Sequence, residues 1–490
     1  MSTARPIAAG TLLALLESAA AQAPTRRAVA DEQVTVDYAT LAGRVAATAD
    51  ALRGVGIGRG DRVAIVLPNS VAFVDAFLGV LASGAAALPL PASARGAELR
   101  RLLAETNGAA LVTAPDDDRV RAPIHLAADG RGVAVVAAPS ATTKRASSVP
   151  PAPEDAALVA FSSGTTARPH LVTRSHANLW WEAENFGQAT RLGPDDVVLG
   201  VVPLSHAHGL GNAMLAALRA RASLIVRPRF LRRQVLELLA AERVTVFPAV
   251  PFMLRMLAAT DRRRHVDLGA LRWCISAGAP LPREVFDAVA TRFGVRVRQL
   301  YGLTEAGSVT CDLAAPDAVD PATVGTPLGT VAVTVEDEQG RELPVGTPGE
   351  IVIRSPAVEG GLTRALRTRD LGTRDAAGRL TITGRTSLFI NTAGNKVDPA
   401  EVEAALRAHP AVADVAVFGL AAAHDEQIVA AAVVLASDAG TTTPETLRTH
   451  CRELLAPHKI PRVLSFRSAL PRSPLGKVLI GRLLAEGAPR

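Results

Sequence analysis

The chain has 490 residues, 48% of them hydrophobic, and a formal net charge of +6. It is too long for one ordinary domain, so two or three are expected, with ample apolar material for a large core. The charge comes from dispersed Arg, with Lys only at 144, 396, 459 and 477, and the one dense basic run is Asp261-Arg262-Arg263-Arg264-His265, which argues against a nucleic-acid partner.

In chain order, the stretch from Ala8 to Ala23 has the outline of a signal peptide. Glu17 interrupts it, and Leu12, Leu13, Leu15 and Leu16 share one helical face, so a helix of the mature protein is expected. Arg62 to Pro68 is a short β-rich run, and Val71 to Leu81 carries apolar residues at helical spacing. Ala85 to Leu90 and Ala109 to Thr113 read as further buried strands. This alternation predicts parallel sheets covered by helices. Val149-Pro150-Pro151-Ala152-Pro153 is a loop before another buried strand, Ala156 to Ala160. Beyond Val324 the texture changes: Val331 to Val335, Gly349 to Arg354 and Leu380 to Thr383 alternate like antiparallel or barrel strands. After Arg385 comes a piece of about a hundred residues, the size of a small α+β domain. A helix is expected near Pro399 to His409, with strands at Val415 to Phe418 and Ile428 to Leu435. Cys274, Cys311 and Cys451 are far apart, which fits a reducing cytoplasm without structural disulfides. No apolar run approaches ~20 residues, so no membrane span is expected.

The strand Ala156–Ala160 opens into Phe161-Ser162-Ser163-Gly164-Thr165-Thr166-Ala167-Arg168-Pro169-His170. Small side chains, backbone N–H groups and four hydroxyls in one turn suit a polyphosphate. The Gly-Lys-Ser/Thr ending of a Walker A loop is missing. Taken alone, the segment fits a polar surface loop equally well. Three further motifs follow: Tyr301-Gly302-Leu303-Thr304-Glu305, Gly384-Arg385, and Leu470-Pro471-Arg472-Ser473-Pro474-Leu475-Gly476-Lys477. In this order and at these separations, the chain resembles the AMP-forming adenylating superfamily of acyl- and aryl-CoA synthetases, peptide-synthetase adenylation domains and luciferases. The resemblance starts near Val36-Asp37-Tyr38 and Gly58-Arg59-Gly60-Asp61 and ends at Lys477. It implies an α/β fold with a large multi-subdomain N-terminal domain, residues 1–386, made of parallel sheets plus a small barrel. A small mobile α+β lid, residues 387–490, would follow.

The resemblance also implies roles. ATP would activate a small-molecule carboxylic acid as acyl-AMP, and the acyl group would pass to CoA or to a carrier protein acting in trans. Ser162, Ser163, Gly164, Thr165 and Thr166 would hold the β- and γ-phosphates, Thr304 the α-phosphate, and Glu305 a Mg²⁺ ion. A carboxylate beside a polyphosphate needs such a cation between them. Tyr301 would stack on adenine, with Gln299 and the Gly278-Ala279-Pro280 backbone lining the base pocket. Asp370 would accept from the ribose hydroxyls, and Arg385 would reach ribose and phosphate. Lys477 would meet the carboxylate and α-phosphate as charge builds. His206, Ala207, Gly302 and Leu303 would border the acyl pocket, and Gly394 a pantetheine tunnel. His208 fits the motif less securely than His206.

Four departures stand out. The phosphate loop lacks the family's usual Lys and has His170 there; Ser387 stands at the hinge, where Asp or Lys is usual; Arg369 replaces a usual Gly; and the segment from Ser355 to Asp370 is short. They leave room for a weakly active or repurposed protein. Ala207 stands where amino-acid-activating relatives carry Asp and dihydroxybenzoate-type relatives Asn, which favours an apolar or aromatic acid.

Overall fold

The structure is a computed structural model. It describes residues 10–92, 94, 96–113, 134–137, 150–161, 171–260, 266–385, 390–392, 395–421, 427–437, 439–455, 457–473, 476 and 478–485. The first helix, Leu12–Gln22, starts where the Thr11 hydroxyl accepts from the Ala14 amide. It buries Leu12, Leu16 and Ala19, one face as the spacing predicts. The helix Val71–Ala82 is apolar nearly all round and buried nearly all round, because it lies inside the largest core.

Two parallel-centred sheets organise the N-terminal part. One has nine strands, in the order Thr326–Pro327, Gly307–Cys311, Val297–Leu303, Trp273–Ser276, Val246–Ala249, Val197–Gly200, Ser223–Val226, Arg27–Ala30 and Thr35–Asp37. Its centre is parallel, and both margins are antiparallel. The second sheet has six strands. Arg62–Val66, Ala86–Pro89, Ala110–Thr113 and Ala156–Phe161 form its parallel centre. The edge strand Leu171–Ser175 then runs antiparallel to Ala156–Phe161, with Phe161 opposite Leu171. These are the Val/Ile/Ala-rich runs that burial on both faces demands.

The strands beyond Val324 form a separate four-stranded antiparallel sheet: Ala332–Glu336, Gly349–Arg354, Leu366–Arg374 and Leu380–Arg385. Its third strand is irregular. Glu350 faces Leu371 and Val352 faces Arg367, so residues 368–370 oppose Ile351 alone. Within this bulge the Thr368 hydroxyl donates to Ile351 O (2.7 Å) and accepts from the Asp370 amide (3.0 Å). Arg369 sits at φ +62°, the left-handed region that favours glycine. Arg369→Gly is therefore expected to stabilise the fold by about 0.5–1 kcal/mol, the left-handed cost of an L-residue less the added freedom of unfolded glycine. Chemical denaturation checks this, and a less stable variant would show that the Arg369 side chain outweighs its backbone.

The C-terminal part has its own core. Val412–Ala421 pairs antiparallel with Gln427–Leu435, which pairs parallel with Val463–Phe466. The helices Pro399–Arg407 and Pro444–Leu454 bury Val402, Leu406, Leu447 and Cys451 against that sheet. The 386/387 boundary falls outside the described residues. No helix among the described residues is long and apolar enough to cross a membrane.

Candidate active site

Four neighbouring parallel strands of the large sheet end at one edge: Val197–Gly200, Val246–Ala249, Trp273–Ser276 and Val297–Leu303. The motif residues leave from those carboxyl ends. Such an edge is where open α/β sheets bind ligands, since loops rather than ladders finish the strands there.

After Ser276 the chain turns through Gly278 at φ +84°, and Gly278, Ala279 and Pro280 are exposed. Gln299 holds this loop rather than facing outward. Its Oε1 accepts from the Leu281 amide (3.0 Å), and its Nε2 donates to Pro321 O (2.7 Å) and Thr323 O (3.1 Å). Gln299 thus clasps the loop from behind, with both of its amide N–H donors and one lone pair of its Oε1 committed to backbone groups.

Tyr301 is buried, and its hydroxyl donates to Asp370 Oδ2 (2.5 Å). Burial, and then the Asp370 charge, push the phenol well above its usual range, so it stays protonated. The other Asp370 oxygen lies 2.8 Å from Arg385 Nε. The structure therefore brings Tyr301, Asp370 and Arg385 together, although 69 residues separate the first two.

Gly302 follows Tyr301 because a Cβ there would lie 2.5 Å from Gly307 O. Thr304 and Glu305 form the turn into Gly307–Cys311, closed by Ala306 N donating to Leu303 O (3.2 Å), with Gly307 at φ +68°. Glu305 O accepts from the Glu359 amide (3.3 Å), while its carboxylate has no hydrogen-bond or ion-pair partner among the described residues. Among the described residues no group of three His, Cys, Asp or Glu side chains is placed to hold a metal ion.

His206 precedes a short helix, Ala207–Gly209. A Cβ at Gly209 would overlap Pro203 O, so only glycine lets the chain fold back here. Burial lowers the pKa of His206, and its Nε2 has no hydrogen-bond partner among the described residues. His208 has a different place. Ala249 O lies 3.0 Å from His208 Nε2 and can only accept, so that nitrogen carries the proton. His208 Nδ1 then accepts from Asn212 Nδ2 (2.8 Å), and Asn212 Oδ1 accepts from the Ser308 hydroxyl (2.6 Å). Burial takes the His208 pKa down to about 4. This neutral chain ties the short helix to two strands. It includes a π-helical turn, Leu210–Leu215, which sequence reasoning missed. The available signal was Asn212 inside an apolar run after two glycines.

The expectations for Ser162, Ser163, Gly164, Thr165, Thr166, Gly394 and Lys477 lie outside the described residues, as do His170 and Ser387. Gly476, next to Lys477, has φ +80°, and a Cβ on it would lie 3.7 Å from Phe252 Cβ. Phe252 follows the strand that supplies Ala249 O.

The pattern of the AMP-binding enzyme family matches residues 16–363, and that of the AMP-binding enzyme C-terminal domain matches residues 401–477. The chain belongs to the AMP-binding enzyme family. It is a member of the AMP-forming adenylating superfamily that the motifs resemble. A sulfoacetate–CoA ligase of Cupriavidus necator is 32% identical over 504 residues, covering 97% of each chain. A feruloyl-CoA synthase of an Amycolatopsis species is 31% identical, covering 95% of this chain and 96% of its own. Among solved structures, ATP-bound MatB from Rhodopseudomonas palustris aligns over 97% of this chain and 99% of its own, with a TM-score of 0.81 and 29% identity.

Proposed function

We propose that this chain activates a small carboxylic acid with ATP and passes the acyl group to CoA. The acid's oxygen attacks the α-phosphorus, and the bond from that phosphorus to the pyrophosphate oxygen breaks. In the second step the CoA sulfur attacks the acyl carbonyl, AMP leaves, and the thiol proton is released. The curated relatives support this overall reaction: they include CoA ligases for sulfoacetate, ferulate and indoleacetate. The observation that carries the site is the Tyr301–Asp370–Arg385 cluster beside the Thr304–Glu305 turn, at the carboxyl edge of the parallel sheet.

In this reading the Gly278–Pro280 loop and the Tyr301 ring flank adenine, and the Asp370 carboxylate accepts from the ribose hydroxyls. Arg385 lends a fixed positive charge. The Thr304 hydroxyl and the Ser162–Thr166 loop hold the phosphates. The unpartnered Glu305 carboxylate fits Mg²⁺, which is commonly held by one or two carboxylates plus substrate phosphates. When bound, that ion neutralises phosphate charge. Glu305→Gln is expected to raise the Mg²⁺ concentration for half-maximal rate severalfold, because a neutral amide is a poorer ligand for a hard cation. An unchanged Mg²⁺ titration would make Glu305 structural.

His206, Ala207, Gly302 and Leu303 border the acyl pocket in this reading. With no carboxylate at Ala207, an apolar or aromatic acid is favoured over an amino acid. We place the lid at 387–490, with Lys477 presented by it and Gly394 reaching the pantetheine. Product analysis over aryl, aliphatic and amino acids, with CoA or a carrier protein as acceptor, tests the reading. It predicts a CoA thioester of an aryl or aliphatic acid. Acylation of the carrier alone would contradict it.

A further inference from the structure

The helix His176–Ala189 carries a carboxylate that the reaction above does not use. Glu182 is 2% exposed, and Arg174, on the strand before the helix, is 1% exposed; their side chains meet at 2.6 Å. A buried ion pair is an expensive way to hold a fold together, since apolar residues of similar volume do as well or better. Its contacts suggest another role.

The Glu182 carboxylate rests directly on two glycines. A Cβ at Gly211, in the π-helical turn after His206, would overlap Glu182 Oε1. A Cβ at Gly307, just after the Thr304–Glu305 turn, would overlap Glu182 Cδ and both oxygens. Meanwhile Arg174 Nη2 donates to Ala357 O (3.0 Å), and Asn178 Nδ2 donates to Pro356 O and Val358 O (both 2.8 Å). The next residue, Glu359, donates its amide to Glu305 O (3.3 Å). The contacts close a ring: Arg174 to Glu182, to Gly307, through the turn to Glu305, to Glu359, and back through Ala357 to Arg174.

We infer that the Arg174–Glu182 pair positions the Thr304–Glu305 turn against the strand that follows the Ser/Thr/Gly segment, and so sets the geometry for the first half-reaction. Neither residue touches substrate; they are positioning residues. The inference rests on the proposed function for its kinetic part only. Displacing a reacting constellation by even 1 Å costs on the order of a hundredfold in rate.

The test compares Glu182→Gln and the paired variant Arg174→Met/Glu182→Met with the full-length wild-type protein. Amide hydrogen exchange is read at residues 303–307 and 357–359, with Arg62–Val66 of the other sheet as reference. In Glu182→Gln, exchange at 303–307 and 357–359 is expected to rise about tenfold, while the reference stays fixed, as local opening without global unfolding requires. Adenylation, read as ATP–pyrophosphate exchange, is expected to fall about tenfold or more, while thioester formation from supplied acyl-AMP changes little. The paired variant guards against instability: it is expected to melt at or above the wild-type temperature and still adenylate slowly. Adenylation restored in the paired variant, or equal loss of both half-reactions, would overturn the positioning role. Unchanged exchange at 303–307 would overturn the ring itself, in a measurement that needs no turnover. The functional reading fails separately, if the wild type adenylates no acid.

Discussion

Replacing Lys477 by Ala is expected to abolish adenylate formation while leaving thioester formation from supplied acyl-AMP largely intact. The first half-reaction brings a carboxylate onto a polyphosphate, so two anions meet. In the proposed reading a compact ammonium at Lys477 compensates both at once. A Cβ built on the neighbouring Gly476 would lie 3.7 Å from Phe252 Cβ, and Phe252 follows the strand Val246–Ala249 of the parallel sheet. The expected loss is ~3 kcal/mol or more, the scale of one preorganised transition-state contact. The second half-reaction expels AMP from a carbonyl and has no such meeting of anions. Comparing the two half-reactions in the variant checks this; equal losses would mean that Lys477 supports the fold or both steps alike.

Asp370→Ala is expected to raise KM for ATP by at least an order of magnitude, with KM for the acid nearly unchanged. The substitution removes the acceptor proposed for the ribose hydroxyls. It also strips the Tyr301 hydroxyl of its 2.5 Å partner and Arg385 of its 2.8 Å ion pair. Charge-assisted hydrogen bonds contribute about 1.5–3 kcal/mol each, and an abandoned buried donor costs on the order of 1–3 kcal/mol in stability. Tyr301→Phe separates the two effects, because it removes the hydroxyl and keeps the carboxylate. Its melting temperature should fall while KM for ATP holds near wild type. If Asp370→Ala lowers the melting temperature alone, the carboxylate is a structural link between the two sheets.

The buried parallel strands and the helix at Val71–Ala82 were legible because each declares itself locally, through an unbroken apolar run or a helical period. The strand Leu366–Arg374 was not. Its sequence, Leu-Arg-Thr-Arg-Asp-Leu-Gly-Thr-Arg, is mostly polar, and two long-range ladders and a bulge impose its extended form. The motifs exposed Tyr301, Thr304, Glu305, Asp370 and Arg385, but not what each side chain bonds to. Gln299 is the plainest case: the resemblance implied a place in the base-pocket lining, and its amide bonds to three backbone groups. Arg174 and Glu182 left one faint sign. Arg174 lies two residues from the buried Val172 and so shares its face of the strand, and a charge on a strand's buried face calls for a buried partner. Finding that partner took three dimensions.

Acid-dependent exchange of labelled pyrophosphate into ATP, without CoA, tests the central claim most directly. It reports the reversible first half-reaction alone. The account predicts that an apolar or aromatic carboxylic acid supports exchange, that Mg²⁺ is required, and that Lys477→Ala removes it. Absence of exchange with every class of acid in a folded, ATP-binding protein would contradict it, and would leave a nucleotide-binding protein that has lost its chemistry.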